Sequence, residues 1–450
     1  MKTKENRAIT LIALVVTIIL LLILAGVSIA MLTGQNGILN RAVEAKEKNQ
    51  NMQINEKIKI AMLEAISVGK GSITNDEIEN ALNNNIGKGQ YIITGNEQAG
   101  WKVEINGNEY KIETTGEVSN FNGWTSNESN TIFTNSDGKK LSVGEYVNYN
   151  CIDFSGTSSV DSEKIYTYTS SKEKNGYDTQ IFKLEDYKNL KWQVIGIDDV
   201  GNLELISSDI IEPYNIDIKY TLQGQNGYTF GLEELNNISG IYGQGKCAKY
   251  ARSVNIDDIN KITGYKDDNY KKDTDNTFQT GNEVTYTLDE EGKIHYIGTK
   301  FPSLDMVGEY SNFIYYKDGK WKNLQSGESV TMRQSYYNYY PQTLTTTPGS
   351  GENINGMAED IGKKVYDLLF LNTNTKFYWL ASQFIDIHDG RAFYGLRRVN
   401  NIIGGYSIYK SDGEETKASQ GIRPIVVLDA KTLIKSGNGT QDSPYEIDLN

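Results

Sequence analysis

The five residues Asp386-Ile387-His388-Asp389-Gly390 bring two carboxylates, an imidazole and a glycine into one short stretch. Ca²⁺ is a hard cation that takes several carboxylate and carbonyl oxygens from a tight loop, which makes Asp386 and Asp389 the candidate calcium ligands. A solvated connection between two strands accounts for the same residues and is the simpler reading. His295 and His388 are the only histidines, so a metal site built from imidazoles is not expected. Cys151 and Cys247 are the only cysteines and allow at most one disulfide. The 95 residues between them leave that bond open. Catalytic chemistry finds little support: no Gly-flanked serine elbow accompanies Asp386 and His388, and no GKS or GKT phosphate loop is present. No catalytic residue and no cofactor is assigned, and the chain is not expected to be an enzyme.

Interaction chemistry is better represented. Tyr378, Arg391, Tyr394 and Arg397, with Arg398 beside them, mix aromatic rings and guanidinium groups, a combination enriched at binding hot spots. Strand alternation lets only part of this set face outward, and an ordinary strand surface with one buried arginine is the alternative. The other exposed candidate is YYNYYPQTLTTTPGSG, which carries Tyr336, Tyr337, Tyr339 and Tyr340. Together these residues form the expected surface for a glycan or protein ligand, although 30 tyrosines also fit a composition skewed by an AT-rich genome. A formal net charge of −13 argues against a nucleic-acid partner, because neutralising phosphates needs clustered Lys and Arg.

Elements outlined by the hydropathy pattern must position these groups. Residues 8–32, AITLIALVVTIILLLILAGVSIAML, run 25 positions without a charge. As a helix they reach about 37 Å, enough for a hydrocarbon core of about 30 Å. Lys2, Lys4 and Arg7 against Glu5 place the N-terminus in the cytoplasm and everything beyond outside. Gly26, Ala30 and Gly34 recur at spacing four, a face on which another helix can pack closely. After the break TGQNG at 33–37, Ile54, Ile58, Ala61 and Ala65, flanked by Met62 and Ile66, make the apolar stripe of an amphipathic helix. Thr74 and Glu77 form a capping-box pattern for a second helix. Strand-like runs follow near 91–94, 101–105 and 109–113, the last two joined by Asn106-Gly107-Asn108.

The segment RAITLIALVVTIILLLILAGVSI resembles the N-terminus of type IV prepilins and pseudopilins, particularly the form common in low-GC Gram-positive bacteria. The resemblance implies cleavage by a prepilin peptidase between Ala8 and Ile9, followed by methylation of the new N-terminus. Thr10, Leu11 and Ile12 match the residues after the cut. Two positions depart from the family: Ala8 stands where glycine is usual, and Ala13 where a glutamate usually pairs with the neighbouring subunit's amine. Losing that carboxylate eases insertion and weakens filament register. A minor or terminal subunit is expected rather than a bulk filament subunit.

Residues 116–140 are rich in Asn, Ser, Thr and Gly with little periodicity and read as a linker. Beyond it the clearest feature is KWQVIGIDDVGNLELISSD, a hairpin with Trp192, Val194 and Ile197 facing Leu203, Leu205 and Ile206. Asn255 caps a short helix that Gly264 stops. Residues 265–350 read as a loop-rich insertion with a few short strands. The order FYWLAS, FYGLRRV, GYSIYKSDG and GIRPIVVL resembles the C-terminal domain of bacterial surface proteins grouped with the C-type-lectin-like and formylglycine-generating-enzyme fold. That resemblance implies a core Trp379, with Arg423 and Pro424 entering the final strand. Formylglycine generation needs a reactive cysteine pair in its site, and neither FYWLAS nor GIRPIVVL contains cysteine.

The expected architecture is α+β. A leader at 1–8 and a transmembrane helix at 9–33 precede a pilin-like helix and small antiparallel sheet at 34–115, a linker at 116–140, and a lectin-like domain with long loops at 141–450. The expected function is a membrane-inserted, pilin-like surface protein that displays a non-catalytic domain for adhesion or recognition. A structural minor pilin that primes or caps a filament is the alternative, and an anchored exported enzyme is a weaker one. Membrane lipid, prepilin peptidase and other pilin subunits are the implied partners, and the cell membrane, with the C-terminal part outside, is the expected location.

Overall fold

A computed structural model describes residues 38–69, 73–120, 123–135, 138–151, 166–199, 201–264, 283–298, 301–308, 310–334, 359–371, 376–388, 390–400, 403–429 and 432–448. The chain divides into two compact units, Met1–Phe121 and Asn122–Asn450.

In the first unit, α1 (Ile38–Val68) and α2 (Asn75–Asn85) cover an antiparallel meander of β1 (Ile92–Asn96), β2 (Gly100–Ile105), β3 (Asn108–Ile112) and β4 (Val118–Asn120). Ile58, Ala61, Met62 and Ala65 are buried, as the 3.6-residue period requires of a helix lying on a sheet. They meet Trp101, Val103, Tyr110 and Ile112 in one core. Thr74 Oγ1 accepts from the Glu77 amide at 3.4 Å while the Glu77 carboxylate accepts from the Thr74 amide at 2.8 Å, so the capping box closes. Trp101 Nε1 donates to Asn75 Oδ1 at 2.7 Å and ties the sheet to the start of α2. Asn106 and Gly107 both take positive φ, 52° and 76°, the backbone that a two-residue hairpin turn demands.

The second unit is built on a seven-stranded sheet in the order Ala248–Ser253, Pro424–Leu428, Leu203–Ser207, Trp192–Ile197, Tyr146–Asn148, Tyr445–Asp448, Leu433–Ile434. The hairpin over 192–206 forms, and Trp192, Val194, Ile197, Leu203, Leu205 and Ile206 are all buried. A three-stranded antiparallel sheet of Tyr378–His388, Arg391–Val399 and Ile403–Lys410 packs beside the helix Gly224–Gly240; a Cβ on Gly231 would lie 3.1 Å from Leu396. Trp379 is fully buried and its indole donates to the Tyr220 carbonyl at 3.0 Å. Asn255 accepts from the amides of Asp257 and Asp258 at the start of the helix Ile256–Thr263, and Gly264, at φ 64°, ends it.

Several expectations are corrected here. Among the described residues strands make up 41% and helices 24%, so the fold is mostly β rather than the α+β arrangement expected. Among the described residues no helix is long and apolar enough to cross a membrane. The longest, Ile38–Val68, is interrupted throughout by Lys, Glu, Asn and Gln, whose desolvation in hydrocarbon is unfavourable. A single-pass anchor, and with it a location in the cell membrane, is therefore not supported; residues 9–33, to which the span was assigned, lie outside the described residues. Residues 116–140, expected as a linker, hold β4 and a three-stranded sheet of Thr125–Ser126, Ile132–Thr134 and Lys140–Ser142. These strands are too short to show a period, but Phe133 and Leu141 are fully buried. Asn127 Oδ1 holds the turn by accepting from the Thr131 and Ile132 amides at 2.8 and 3.0 Å. Between 283 and 333 the polar stretch is more ordered than expected. Glu283–Leu288, Ile294–Gly298, Phe301–Val307 and Ser329–Arg333 form a four-stranded sheet that buries Val284, Tyr286 and Val330.

Candidate binding cleft

The strand Tyr146–Asn148 lies between Trp192–Ile197, to which it is antiparallel with Val147 opposite Trp192, and Tyr445–Asp448, to which it is parallel with Val147 opposite Tyr445. A cleft of about 450 Å³ opens beside these strands, lined by residues 146–150, 188–192, Gln441 and Pro444. That volume lies within the range usual for small-ligand sites.

Aromatic packing fixes one wall. The Tyr149 and Trp192 rings meet edge-on at 5.4 Å and Trp192 meets Tyr242 at 5.9 Å. Tyr149 Oη donates to the Tyr242 carbonyl at 2.8 Å and accepts from the Gly245 amide at 3.2 Å. Gly245 must be glycine, because a Cβ there would sit 2.2 Å from the Asn150 carbonyl oxygen. Burial, with the neighbouring Cys151 adding to it, holds the Tyr149 phenol far above its ordinary range, so it stays a neutral donor. The indole N–H of Trp192 is buried and finds no acceptor among the described residues.

The opposite wall is a turn. Leu190 N donates to the Tyr187 carbonyl at 2.9 Å, and this closure presents Lys188 and Asn189 to solvent. Tyr187 anchors the turn from beneath: its hydroxyl accepts from the Glu212 amide at 2.7 Å and donates to the Glu212 carbonyl, and burial pushes the phenol up to about 12. On the floor, Asn148 Nδ2 donates to both carboxylate oxygens of Glu446, at 3.2 and 3.0 Å. The lining side chains are thus amides (Asn148, Asn150, Asn189, Gln441), aromatic rings and two lysines, and no carboxylate is among them. Such a set forms hydrogen bonds and stacking contacts, but it offers no paired acid and base to move a proton.

Beneath this wall lie the two cysteines, both thiols rather than a disulfide. Cys151 is buried and burial pushes its thiol up to about 11, whereas Cys247 is partly exposed at a turn in which the Ala248 amide donates to the Gly245 carbonyl. Burial thus keeps Cys151 as the thiol and not the thiolate, which is the nucleophilic form. Ellman's reagent is expected to titrate one thiol per native chain quickly and the second only on unfolding in guanidinium. Two fast thiols in the native protein would contradict this.

Among the described residues, none of the sequence-predicted site residues lines the cleft. Ala8, Ile9, Gly26, Ala30, Gly34, Tyr336, Tyr337, Tyr339, Tyr340 and Asp389 lie outside the described residues. Asp386 is buried, and its Oδ1 accepts from Gln334 Nε2 and from the Ile387 amide, both at 2.9 Å. Among the described residues no group of three or more His, Cys, Asp or Glu is placed to hold a metal. Tyr378, Tyr394 and Arg397, expected on a binding surface, belong to the core at 0%, 0% and 4% exposure. Tyr378 Oη donates to the Leu369 carbonyl at 2.7 Å, and Tyr394 packs edge-on between Tyr228 and Trp321 at 5.3 and 5.0 Å. Gly395, Leu396 and Arg397 are buried in succession, which shows that both faces of this strand are covered; alternation had suggested one solvated face. Arg391 is nearer the surface, with its guanidinium over the Tyr310 ring at 3.8 Å and its Nε 3.2 Å from Asp412 Oδ2.

A scan of protein-family models finds no match to this chain, and neither do comparisons with curated proteins or solved structures.

Proposed function

We propose that this chain is a recognition protein whose second unit binds a small ligand or a short segment of a larger one without transforming it, and whose first unit is a pilin-like head. The observation that carries the reading is the cleft. It is large enough for a ligand, its aromatic wall is fixed by hydrogen bonds and edge-on packing, and its lining favours binding over proton transfer. The helix pair on a four-stranded meander supports the pilin-like reading of the first unit. The test is an array of glycans and peptides probed with the full chain, read both for retention and for chemical change of whatever is retained. Retention without turnover is the expected result; turnover of a retained compound would overturn the non-catalytic reading.

A structural subunit is the second reading, favoured by one observation. Ile60, Leu63 and Val68 on α1 remain 49%, 67% and 67% exposed while the opposite side of the helix is buried. Exposed apolar side chains on a helix suit packing against a like subunit. If that reading holds, the full chain sediments as an assembly, and the double substitution Leu63→Asp with Val68→Asp returns it to the monomer with its circular dichroism unchanged. A wild-type chain that is monomeric at all concentrations would refute it.

A further inference from the structure

The charges around the cleft run against those of the chain. The protein carries 58 acidic and 45 basic residues, yet among the described residues the lining includes two lysines and no aspartate or glutamate. Lys188 and Lys191 are both exposed, and neither ammonium group makes an ion pair among the described residues. Glu185 and Asp186 precede Lys188 on the same turn, and Glu145 and Asp442 adjoin Tyr146 and Gln441 in sequence, but none of the four lines the cleft. Glu446 is exposed beside the cleft, is not part of its lining, and accepts from Asn148 Nδ2 through both carboxylate oxygens. A desolvated or partly enclosed anion near two ammonium groups gains more than it would in bulk water, because the low-dielectric walls focus the field. Side-chain amides from Asn150, Asn189 and Gln441 supply donors and acceptors around it.

Resting on the recognition reading above, we infer that the ligand of this cleft is a small organic anion. A carboxylate or phosphate group would lie between Lys188 and Lys191, and the remainder of the ligand would hydrogen-bond to the amides and stack along the Tyr146 side. Carboxylate and phosphate share the chemistry that this arrangement selects, which is negative charge with several acceptor oxygens. Neutral compounds of the same shape leave the ammonium groups with water alone.

Isothermal titration of the full chain tests this with three probes: acetyl-Glu-Glu-amide for carboxylate, O-phosphoserine for phosphate, and acetyl-Gln-Gln-amide as the neutral isostere. At least one anionic probe is expected to bind about tenfold or more tightly than the neutral one, with affinity falling as salt is raised. Which anion binds more tightly identifies the source of the charge. The double substitution Lys188→Ala with Lys191→Ala is expected to remove that advantage while the thermal transition stays in place, since both side chains are exposed. Equal binding of the neutral probe, undiminished binding by the double variant, or no binding of either anion would each overturn the inference. The recognition reading survives those outcomes if the array yields a neutral ligand, and it fails independently if a retained compound is turned over.

Discussion

Arg423→Met is expected to destabilise the second unit by about 2 to 5 kcal/mol, since it leaves two buried carbonyls without their donor at about 1 to 3 kcal/mol each. The side chain is fully buried, and among the described residues no carboxylate hydrogen-bonds to it. Its guanidinium instead joins three separate segments. Nε donates to the Ser207 carbonyl at 3.2 Å and Nη2 donates to the same oxygen; Nη1 donates to the Leu368 carbonyl at 2.7 Å and reaches Tyr378 Oη at 3.5 Å. The guanidinium carbon also lies 5.0 Å from the centre of the Tyr378 ring. Methionine fills similar volume but leaves those carbonyls without this donor, and lysine cannot reproduce the planar fork. Burial lowers the Arg423 pKa from its ordinary value, with Tyr378 and then the Asp209 charge opposing that shift. Guanidinium denaturation followed by tryptophan fluorescence measures the loss. A shift below about 1 kcal/mol would show that the network contributes only packing.

A second large effect is expected at Arg252, which spans two carboxylates. Its Nη2 lies 2.7 Å from Glu204 Oε1 and 2.6 Å from Asp258 Oδ1, and its Nη1 donates to Asp258 Oδ2 at 2.7 Å. Burial opposes the charge on Arg252, but Asp258 and then Glu204 raise its pKa well above the ordinary value. Glu204 is pushed upward, first by burial, with Arg252 pulling it back. A carboxyl whose folded pKa is raised contributes stability that is complete below its unfolded value of about 4.3 and is lost as pH rises through the folded value. Arg252→Met leaves Glu204 and Asp258 facing each other in a buried site. The expected loss is about 3 to 5 kcal/mol near neutral pH and distinctly less at pH 4, where a carboxyl takes up a proton. Glu204→Gln in the wild-type background is expected to flatten the fall in stability above pH 4. Denaturation midpoints across pH 4 to 8 measure both, and a pH-independent loss for Arg252→Met would refute the coupling.

Local order was legible where a short segment satisfies itself. The Thr74 and Asn255 caps, the Asn106-Gly107 turn and the alternating hairpin over 192–206 each follow from residues within a few positions of one another. Burial was misjudged where the deciding neighbour is distant in the chain. Tyr394 faces inward because Trp321 covers it, and the indole of Trp321 is in turn fixed by Thr229 Oγ1 at 2.9 Å. Nothing in FYGLRRV reports that cover. The cleft was missed for the same reason. Aromatic residues set among Asn and Lys in YVNYN and YKNLKW were a usable signal, but their convergence with Gln441 and Pro444 depends on a parallel pairing some 300 residues apart in sequence.

By itself the sequence determined the helix caps, the tight turns, the strand periods and the acidic composition, because each depends on local backbone geometry or on summed charge. The tertiary structure alone decided three things: that strands outweigh helices, that Tyr378, Tyr394 and Arg397 are core rather than surface, and that Lys188 and Lys191 line one cleft with amides and aromatic rings. Burial and electrostatic environment are properties of what surrounds a side chain. In this protein those surroundings are brought together from segments hundreds of residues apart, through strand pairings that no local period encodes.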